Sequence, residues 1–484
     1  MHHLVRDQHQ IDHSREVDIH VASATFVEAN PELNMIAIIT FGITVVCCFV
    51  LRRVLRKFRS AEVKHGAHQI VSAPGISKKL PLVGGIAAVT AGATAAGMDA
   101  GSTGVAAAWW VVSGAAAFFA FGLVDDIRKT RIGRGIGEGA YLIATLGLSV
   151  LACILLVGPG MHLSNALSPY SLAHWVGAEA RLPISMWYFT LILGTSLATS
   201  FSDGMDGLAP GTVAITGLGA ALVCGISTSI TNATWPLIVS AMAGGVLVWN
   251  LPSRWSPANP NARRLATIYL GDSGALFLGA ASAVAAIVAG VDLLWPIIAA
   301  PLLLEGLSSM LQAKILVPIY RRWRDPRLPD GTLAPHQQFP LPLLASPLHY
   351  HWEIVGLDRR QIALGFWAAT ALTTVFAALA ARMPDAGLAA LMIILSVIAS
   401  ATFWGAAMWT RPAFVASEGN SLLLFHGRPL RIVGLRLAWQ QRVVGGGAMV
   451  RAARHRGIMN QPMNAHRLES VIRDIHAERG QSTP

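Results

Sequence analysis

The feature that most limits the fold is a succession of apolar runs, each near the ~20 residues a helix needs to cross a bilayer. They lie near residues 34–52, 81–98, 104–124, 139–158, 183–200, 211–230, 235–251, 273–291, 294–318, 361–382 and 387–409, with 235–251 the weakest. Lipid offers backbone groups no hydrogen-bond partners, so such runs predict helices. The expected class is an all-α, polytopic transmembrane bundle of about 10–11 spans. Composition agrees, with 53% hydrophobic and 13% charged residues, against roughly 25% charged in a soluble domain. The four cysteines (Cys47, Cys48, Cys153 and Cys224) all fall inside apolar runs, which argues against a disulfide framework or a Cys-based metal site.

Basic residues in short loops set orientation. Arg52, Arg53, Arg56, Lys57 and Arg59 follow the first run, which assigns that loop to the cytoplasm and the N-terminus to the outside. Alternation then puts loops 125–138, 201–210, 252–272 and 319–360 inside; they carry Arg128, Lys129, Arg131, Arg134, Arg254, Arg263, Arg264, Arg321, Arg322 and Arg324. Loop 159–182, assigned outside, is almost without them. The net charge of +11 is thus explained by cytoplasmic loops, and no nucleic-acid partner is expected. Residues 1–33 form a polar tail whose His2, His3, His9, His13 and His20 read as solvated more readily than as a metal site, and which lacks the order of a signal peptide. Residues 34–382 make up the membrane core, 383–409 an extra C-terminal span and 410–484 a basic cytoplasmic tail. That tail reads as solvated with one amphipathic helix at 464–480, or as one whose Arg451, Arg454 and Arg456 meet anionic headgroups.

Four polar constellations fall on the cytoplasmic side. In Gly122-Leu123-Val124-Asp125-Asp126, two adjacent carboxylates follow a span, with Lys129 three and four residues on. Close carboxylates need a cation to stay ionised together, and Mg²⁺ commonly uses one or two carboxylates plus phosphate oxygens; hydrated helix-end charges with Lys129 as counter-ion are the plainer alternative. Asp203-Gly204-Met205-Asp206-Gly207 reads as a tight turn presenting amides and carboxylates, or as an ordinary Asp-Gly turn. Tyr269-Leu270-Gly271-Asp272-Ser273 puts an aspartate at a helix start, where it can also serve as an N-cap; Asn250 closes the preceding span. His349 and His351, in Pro347-Leu348-His349-Tyr350-His351-Trp352-Glu353, can grip phosphate or move protons, though paired loop histidines are often incidental. Asp125, Asp126, Asp203, Asp206 and Asp272 all abut spans on one side, where a soluble donor can meet a lipid acceptor.

With these motifs in this order, residues 34–382 resemble the polyprenyl-phosphate N-acetylhexosamine-1-phosphate transferases. The match rests on Val124-Asp125-Asp126, on Gly194-Thr195-Ser196 leading to Asp203-Gly204-Met205-Asp206-Gly207, and on Gly271-Asp272-Ser273-Gly274. Glu305-Gly306-Leu307-Ser308 and the His349/His351 block are similar to the branch that uses UDP-MurNAc-pentapeptide. The resemblance implies a bacterial inner-membrane enzyme, with its active site on the cytoplasmic side, that takes phospho-MurNAc-pentapeptide from that UDP-sugar donor to undecaprenyl phosphate. Lipid I and UMP would be the products.

It implies Mg²⁺ on Asp272 and Asp125, and a role for Asp125 or Asp126 in orienting or deprotonating the lipid phosphate. Asp203, Gly204, Asp206 and Asn250 would hold the nucleotide donor, Tyr269 would stack on uracil, and His349 and His351 would contact donor phosphates. Lys78 and Lys79 stand near the family's nucleotide-binding lysine. A homodimer is compatible with the family. Ser200 replaces an Asn of that branch, Tyr350 replaces a His, and no lysine matches near Tyr141. Leu80-Pro81-Leu82-Val83-Gly84-Gly85 is closer to the branch that uses UDP-GlcNAc, which keeps GlcNAc-1-phosphate transfer as the alternative. A transporter, a third reading, would need mid-membrane ionisable residues, for which Glu305 is the main candidate.

Overall fold

A computed structural model describes residues 31–54, 59–60, 80–81, 83–99, 105–132, 134–157, 168–227, 230–251, 267–319, 343, 346–355, 357, 359–382, 394, 398, 413–432, 435–459 and 465–480. Two compact units result: Met1–Ser60 with Leu80–Ala300 and Ala369–Ile394, and Ala61–Lys79 with Pro301–Ala368 and Leu395–Pro484. Lys78 and Lys79 lie outside the described residues.

The first unit is a helical bundle of α1 (Pro31–Val54), α2 (Gly84–Asp99), α3 (Val105–Ile132), α4 (Glu138–Leu156), α5 (Arg181–Ser202), α6 (Leu208–Ser227), α7 (Thr234–Asn250) and α8 (Gly271–Val288). Helix α8 is its axis, buried from Gly271 to Ile287 apart from Asp272, with α2, α3, α5, α6 and α7 packed around it. Its composition explains this position. In lipid, close helix approach depends on small residues, and α8 reads Gly-Asp-Ser-Gly-Ala-Leu-Phe-Leu-Gly-Ala-Ala-Ser-Ala from its start. A Cβ on Gly279 would lie 2.8 Å from the Ser196 Cα on α5, and one on Gly85 would lie 2.5 Å from the Gly274 amide. By contrast, α1 and α4 leave Ile38, Val46, Ile143 and Ile154 exposed, as lipid-facing helices do.

The protein is an all-α, multi-pass membrane protein: among the described residues, seven helices are long and apolar enough to span. Two of the expected spans are short apolar helices, Gly84–Met98, which begins three residues later than the run at 81–98, and Thr234–Asn250, which matches the run at 235–251 in length. The run at 294–318 is not one straight helix. A single turn at Trp295–Ile298 precedes α9 (Ala300–Ser309), which passes into a π-helical stretch at Met310–Leu316. Pro296 and Pro301, which lack an amide donor, account for the break. The run at 387–409 lies outside the described residues except at 394 and 398.

In the second unit, α10 (Leu348–Val355) and the first part of α11 (Arg359–Arg382) follow α9. The C-terminal segment is more structured than a solvated tail with one helix. Strands β1 (Ala413–Glu418), β2 (Ser421–Ile432) and β3 (Leu435–Gly445) form an antiparallel sheet in the order β1-β2-β3. Helices α12 (Gly447–His455) and α13 (Ala465–Gly480) follow. Val415, Leu422 and Leu424 join Met449, Val450, Ala453, Leu468, Ile472 and Ile475 in one core. Phe414, Ala416, Leu423 and Phe425 alternate with these strand residues and form a second cluster. The missed signal is the Gly419-Asn420 pair between two alternating strands, with Gly419 at φ +57°.

Candidate active site

The site is built on the N-terminus of α8. Gly271, at φ +74°, lets the chain turn into the helix, a conformation that glycine tolerates without Cβ strain. The first amides of a helix lack intrahelical partners, and the residue preceding α8, Leu270, supplies no side-chain cap. Neighbouring segments supply partners instead. The Asp272 amide donates to Asp126 Oδ1 (3.1 Å), the Ser273 amide to Asp126 Oδ2 (3.0 Å) and the Gly271 amide to Asp203 Oδ2 (3.1 Å). Asp126 therefore caps α8 from α3, and this demands close approach: a Cβ on Gly122 would sit 2.6 Å from the backbone of Asp272.

Beside this cap, carboxylates crowd one cation. Lys129 lies 2.7 Å from Asp125 Oδ2, one turn back on α3, and also binds Asp272 Oδ2. Asp125 additionally accepts the Ile136 amide. Burial pushes Asp125 up, but its hydrogen bonds with Asp272, the Ile136 amide and Lys129 outweigh that and hold the carboxyl below its ordinary value. Asp126 goes the other way, to about 7, through burial and the adjacent Asp272 charge. Asp203 is pushed well up by burial and by the charges of Asp272, Asp126 and Asp206. Burial disfavours the Lys129 charge, but Asp272 and Asp125 more than offset that and raise it above its ordinary value. The site thus holds more negative charge than one lysine neutralises.

The remaining polar groups fix the surroundings. Asn250, buried, accepts the Gly207 amide at 2.7 Å and donates to the Ile268 carbonyl at 3.2 Å, tying two loops together. The Tyr269 carbonyl accepts the Gly84 amide at 3.1 Å, and its side chain is half-buried just ahead of α8. Ser200 Oγ donates to Asp272 Oδ1 at 3.1 Å and lies 3.0 Å from the Tyr141 hydroxyl. Gly204 and Asp206 lie in the turn joining α5 to α6.

The structure brings Asp125, Asp126, Asp203 and Asp272 together. His349 and His351 belong to the second unit, where both are buried. There His349 Nδ1 pairs with Glu305 Oε1, and the His349 amide donates to Glu305 Oε2 at 3.3 Å. The Leu348 amide donates to Ser308 Oγ at 3.0 Å, and Gln312 makes two bonds to the Leu343 backbone. Glu305 is therefore a buried partner of a histidine. Lys129, Ser200 and Tyr141 are the residues that motif reading undervalued. The four-residue spacing from Asp125 marks Lys129, whereas no local pattern singles out one hydroxyl in an apolar helix.

No set of three or more His, Cys, Asp or Glu converges in metal-binding arrangement among the described residues. The pair that does converge, Asp125 and Asp272 on Lys129, gives two hard oxygen donors at one cation position. That donor set suits Mg²⁺ completed by phosphate oxygens, which needs only one or two carboxylates.

Helices long enough to span, closing on a buried acidic site, define a multi-pass membrane enzyme. Residues 108–290 match the model of glycosyl transferase family 4. Curated relatives named phospho-N-acetylmuramoyl-pentapeptide-transferase include those of Chlorobium luteolum (29% identical over 267 residues, 52% of this chain and 66% of the relative) and Chlamydia abortus (30% over 274, 54% and 69%). That of Synechococcus elongatus is 30% identical over 300 residues, covering 60% of this chain and 73% of the relative. The chain belongs to glycosyl transferase family 4, the family of these phospho-N-acetylmuramoyl-pentapeptide-transferases, and is a transferase. The matched stretch contains Asp125, Asp126, Asp203, Asp206, Asn250, Tyr269 and Asp272, and stops short of His349 and His351.

Proposed function

We propose that the chain transfers phospho-MurNAc-pentapeptide from UDP-MurNAc-pentapeptide to undecaprenyl phosphate at the cytoplasmic face of a bacterial membrane, giving lipid I and UMP. The observation that carries this reading is the convergence of Asp125 and Asp272 on one cation position, beside a capped helix N-terminus. Phosphoryl transfer depends mainly on positioning and on neutralising phosphate charge, and this site supplies both.

Asp125 and Asp272 would hold Mg²⁺, which when bound neutralises phosphate oxygens and polarises the phosphorus they surround. With both its oxygens on α8 amides, Asp126 anchors the helix, and Asp125 is the carboxylate left to face the lipid phosphate. Lys129, raised above its ordinary value, keeps its charge at neutral pH and draws phosphate toward the two carboxylates. Asp203 and Asn250 act through the backbone, holding Gly271 and Gly207 where the nucleotide donor would pass. Tyr269 offers its ring to uracil, with Gly204 and Asp206 on the adjoining turn. Lys78 and Lys79 remain candidates for the donor phosphates, as do His349 and His351.

GlcNAc-1-phosphate transfer is the second reading, favoured by Leu80-Pro81-Leu82-Val83-Gly84-Gly85. Purified protein with undecaprenyl phosphate and Mg²⁺, offered each donor separately, separates the two. UMP release with UDP-MurNAc-pentapeptide is expected, and release with UDP-GlcNAc alone would replace the sugar assignment.

The charge crowding also predicts a pH effect. A native Asp126 value of about 7, against 3.8 when unfolded, means that the folded chain holds a proton the unfolded chain has lost. The contribution of Asp126 to stability is then full below 3.8 and is lost as pH rises to about 7. Metal-free protein in detergent should show a declining unfolding temperature between pH 5 and pH 8, and Mg²⁺ should reverse the decline at the upper end. A flat profile in both conditions would contradict the crowding.

A further inference from the structure

We propose that Tyr141 and Ser200 act as a positioning pair, a hydroxyl relay from α4 through α5 that fixes one oxygen of Asp272 and so sets the cation affinity of the site. Ser200 has one proton, and it goes to Asp272 Oδ1 at 3.1 Å. Its contact with Tyr141 at 3.0 Å must therefore run the other way, the Tyr141 O–H donating to Ser200 Oγ. With Asp272 ionised, as cation binding requires, the order is forced: Tyr141 to Ser200 to Asp272. The two carboxylate oxygens are thus divided, Oδ1 held by this relay and Oδ2 turned to Lys129.

Hydroxyls in these helices ordinarily do something else. Thr145, Thr190, Ser196, Thr199 and Ser202 all return their proton to the carbonyl four residues earlier, the usual behaviour of Ser and Thr inside helices. Thr145 stands one turn from Tyr141, and Thr199 and Ser202 flank Ser200, yet Ser200 reaches across to another helix. The Tyr141 ring is itself braced by Phe121 of α3, edge to face at 5.2 Å between centroids. Three helices therefore cooperate to aim one carboxylate. Groups that hold a metal-binding side chain by hydrogen bonds change metal affinity by roughly 10- to 100-fold when removed.

This inference rests on the proposed cation role of Asp272. The test is Mn²⁺ titration followed by electron paramagnetic resonance on the full chain in detergent, with thermal unfolding measured in parallel. Tyr141→Phe and Ser200→Ala should each raise the Mn²⁺ dissociation constant by about tenfold. Ser200→Thr, which keeps the hydroxyl, should restore most of the affinity. The double variant should be no worse than Ser200→Ala, because Tyr141 acts only through Ser200. Unchanged affinity in Tyr141→Phe, additive losses in the double variant, or a lower unfolding temperature with unaltered affinity would each overturn the relay. If wild-type protein bound no Mn²⁺, the cation role of Asp272 would fall first, a result distinct from binding that the variants leave unchanged.

Discussion

Asp272→Asn is expected to leave the protein folded and almost without turnover. Asparagine keeps the shape and can still accept from Ser200 through its amide oxygen, so the contacts holding α8 survive. What disappears is the charge that faces Lys129. UMP release should fall on the order of a thousandfold or more, the scale of one charge-stabilising group in phosphoryl transfer. Because one of several crowded carboxylates is removed, the unfolding temperature without Mg²⁺ should equal or exceed that of wild type. Wild-type UMP release would remove Asp272 from the chemistry, and a collapsed unfolding temperature would show that the charge serves the fold.

The second large effect needs no polar change at all. Gly122→Ala adds one methyl where a Cβ meets the Asp272 carbonyl at 2.6 Å and the Ser273 Cα at 2.6 Å, all of it backbone that cannot swing aside. Helices α3 and α8 must separate, and the two bonds from the α8 amides to Asp126 must lengthen. Overpacking of this kind costs about 1–3 kcal/mol; with the cap lost as well, folded yield and UMP release should both drop sharply. Gly114→Ala, on the same helix, is the control. Its Cβ would have only Val284 Cγ2 as a near neighbour, at 3.8 Å, an ordinary contact, and it should behave as wild type. Equal behaviour of the two variants, in detergent unfolding and in UMP release, would refute the close α3–α8 approach as the foundation of the site.

The bundle was legible because apolar length is a direct consequence of lipid thickness, and because loop charge ordered the aspartates onto one side. Position along the chain says less about which atom each aspartate holds. Asp126 reads as a twin of Asp125, yet one anchors backbone amides and the other faces Lys129, a difference made by the crossing of α3 over α8. Asn250 likewise reads as a contact to the nucleotide donor, while both ends of its amide tie loops together. Tyr141 and Ser200 lie 59 residues apart and stand where the family's own residues are missing, so only packing unites them. The C-terminal sheet was obscured for another reason: Arg428 and Arg431 in β2 and Arg436 and Arg442 in β3 interrupt the apolar residues, so neither strand shows a clean alternation.

The central claim is lipid-directed phosphosugar transfer at the Asp125–Asp272 site. Its most direct test is reconstituted protein given undecaprenyl phosphate, Mg²⁺ and UDP-MurNAc-pentapeptide labelled in the sugar, with label counted in the lipid extract. The account predicts that lipid-soluble label and UMP appear together in equal amounts, only when lipid, donor and Mg²⁺ are all present. Equal turnover after the divalent ion is chelated, or UMP release with no label in the lipid, would contradict it.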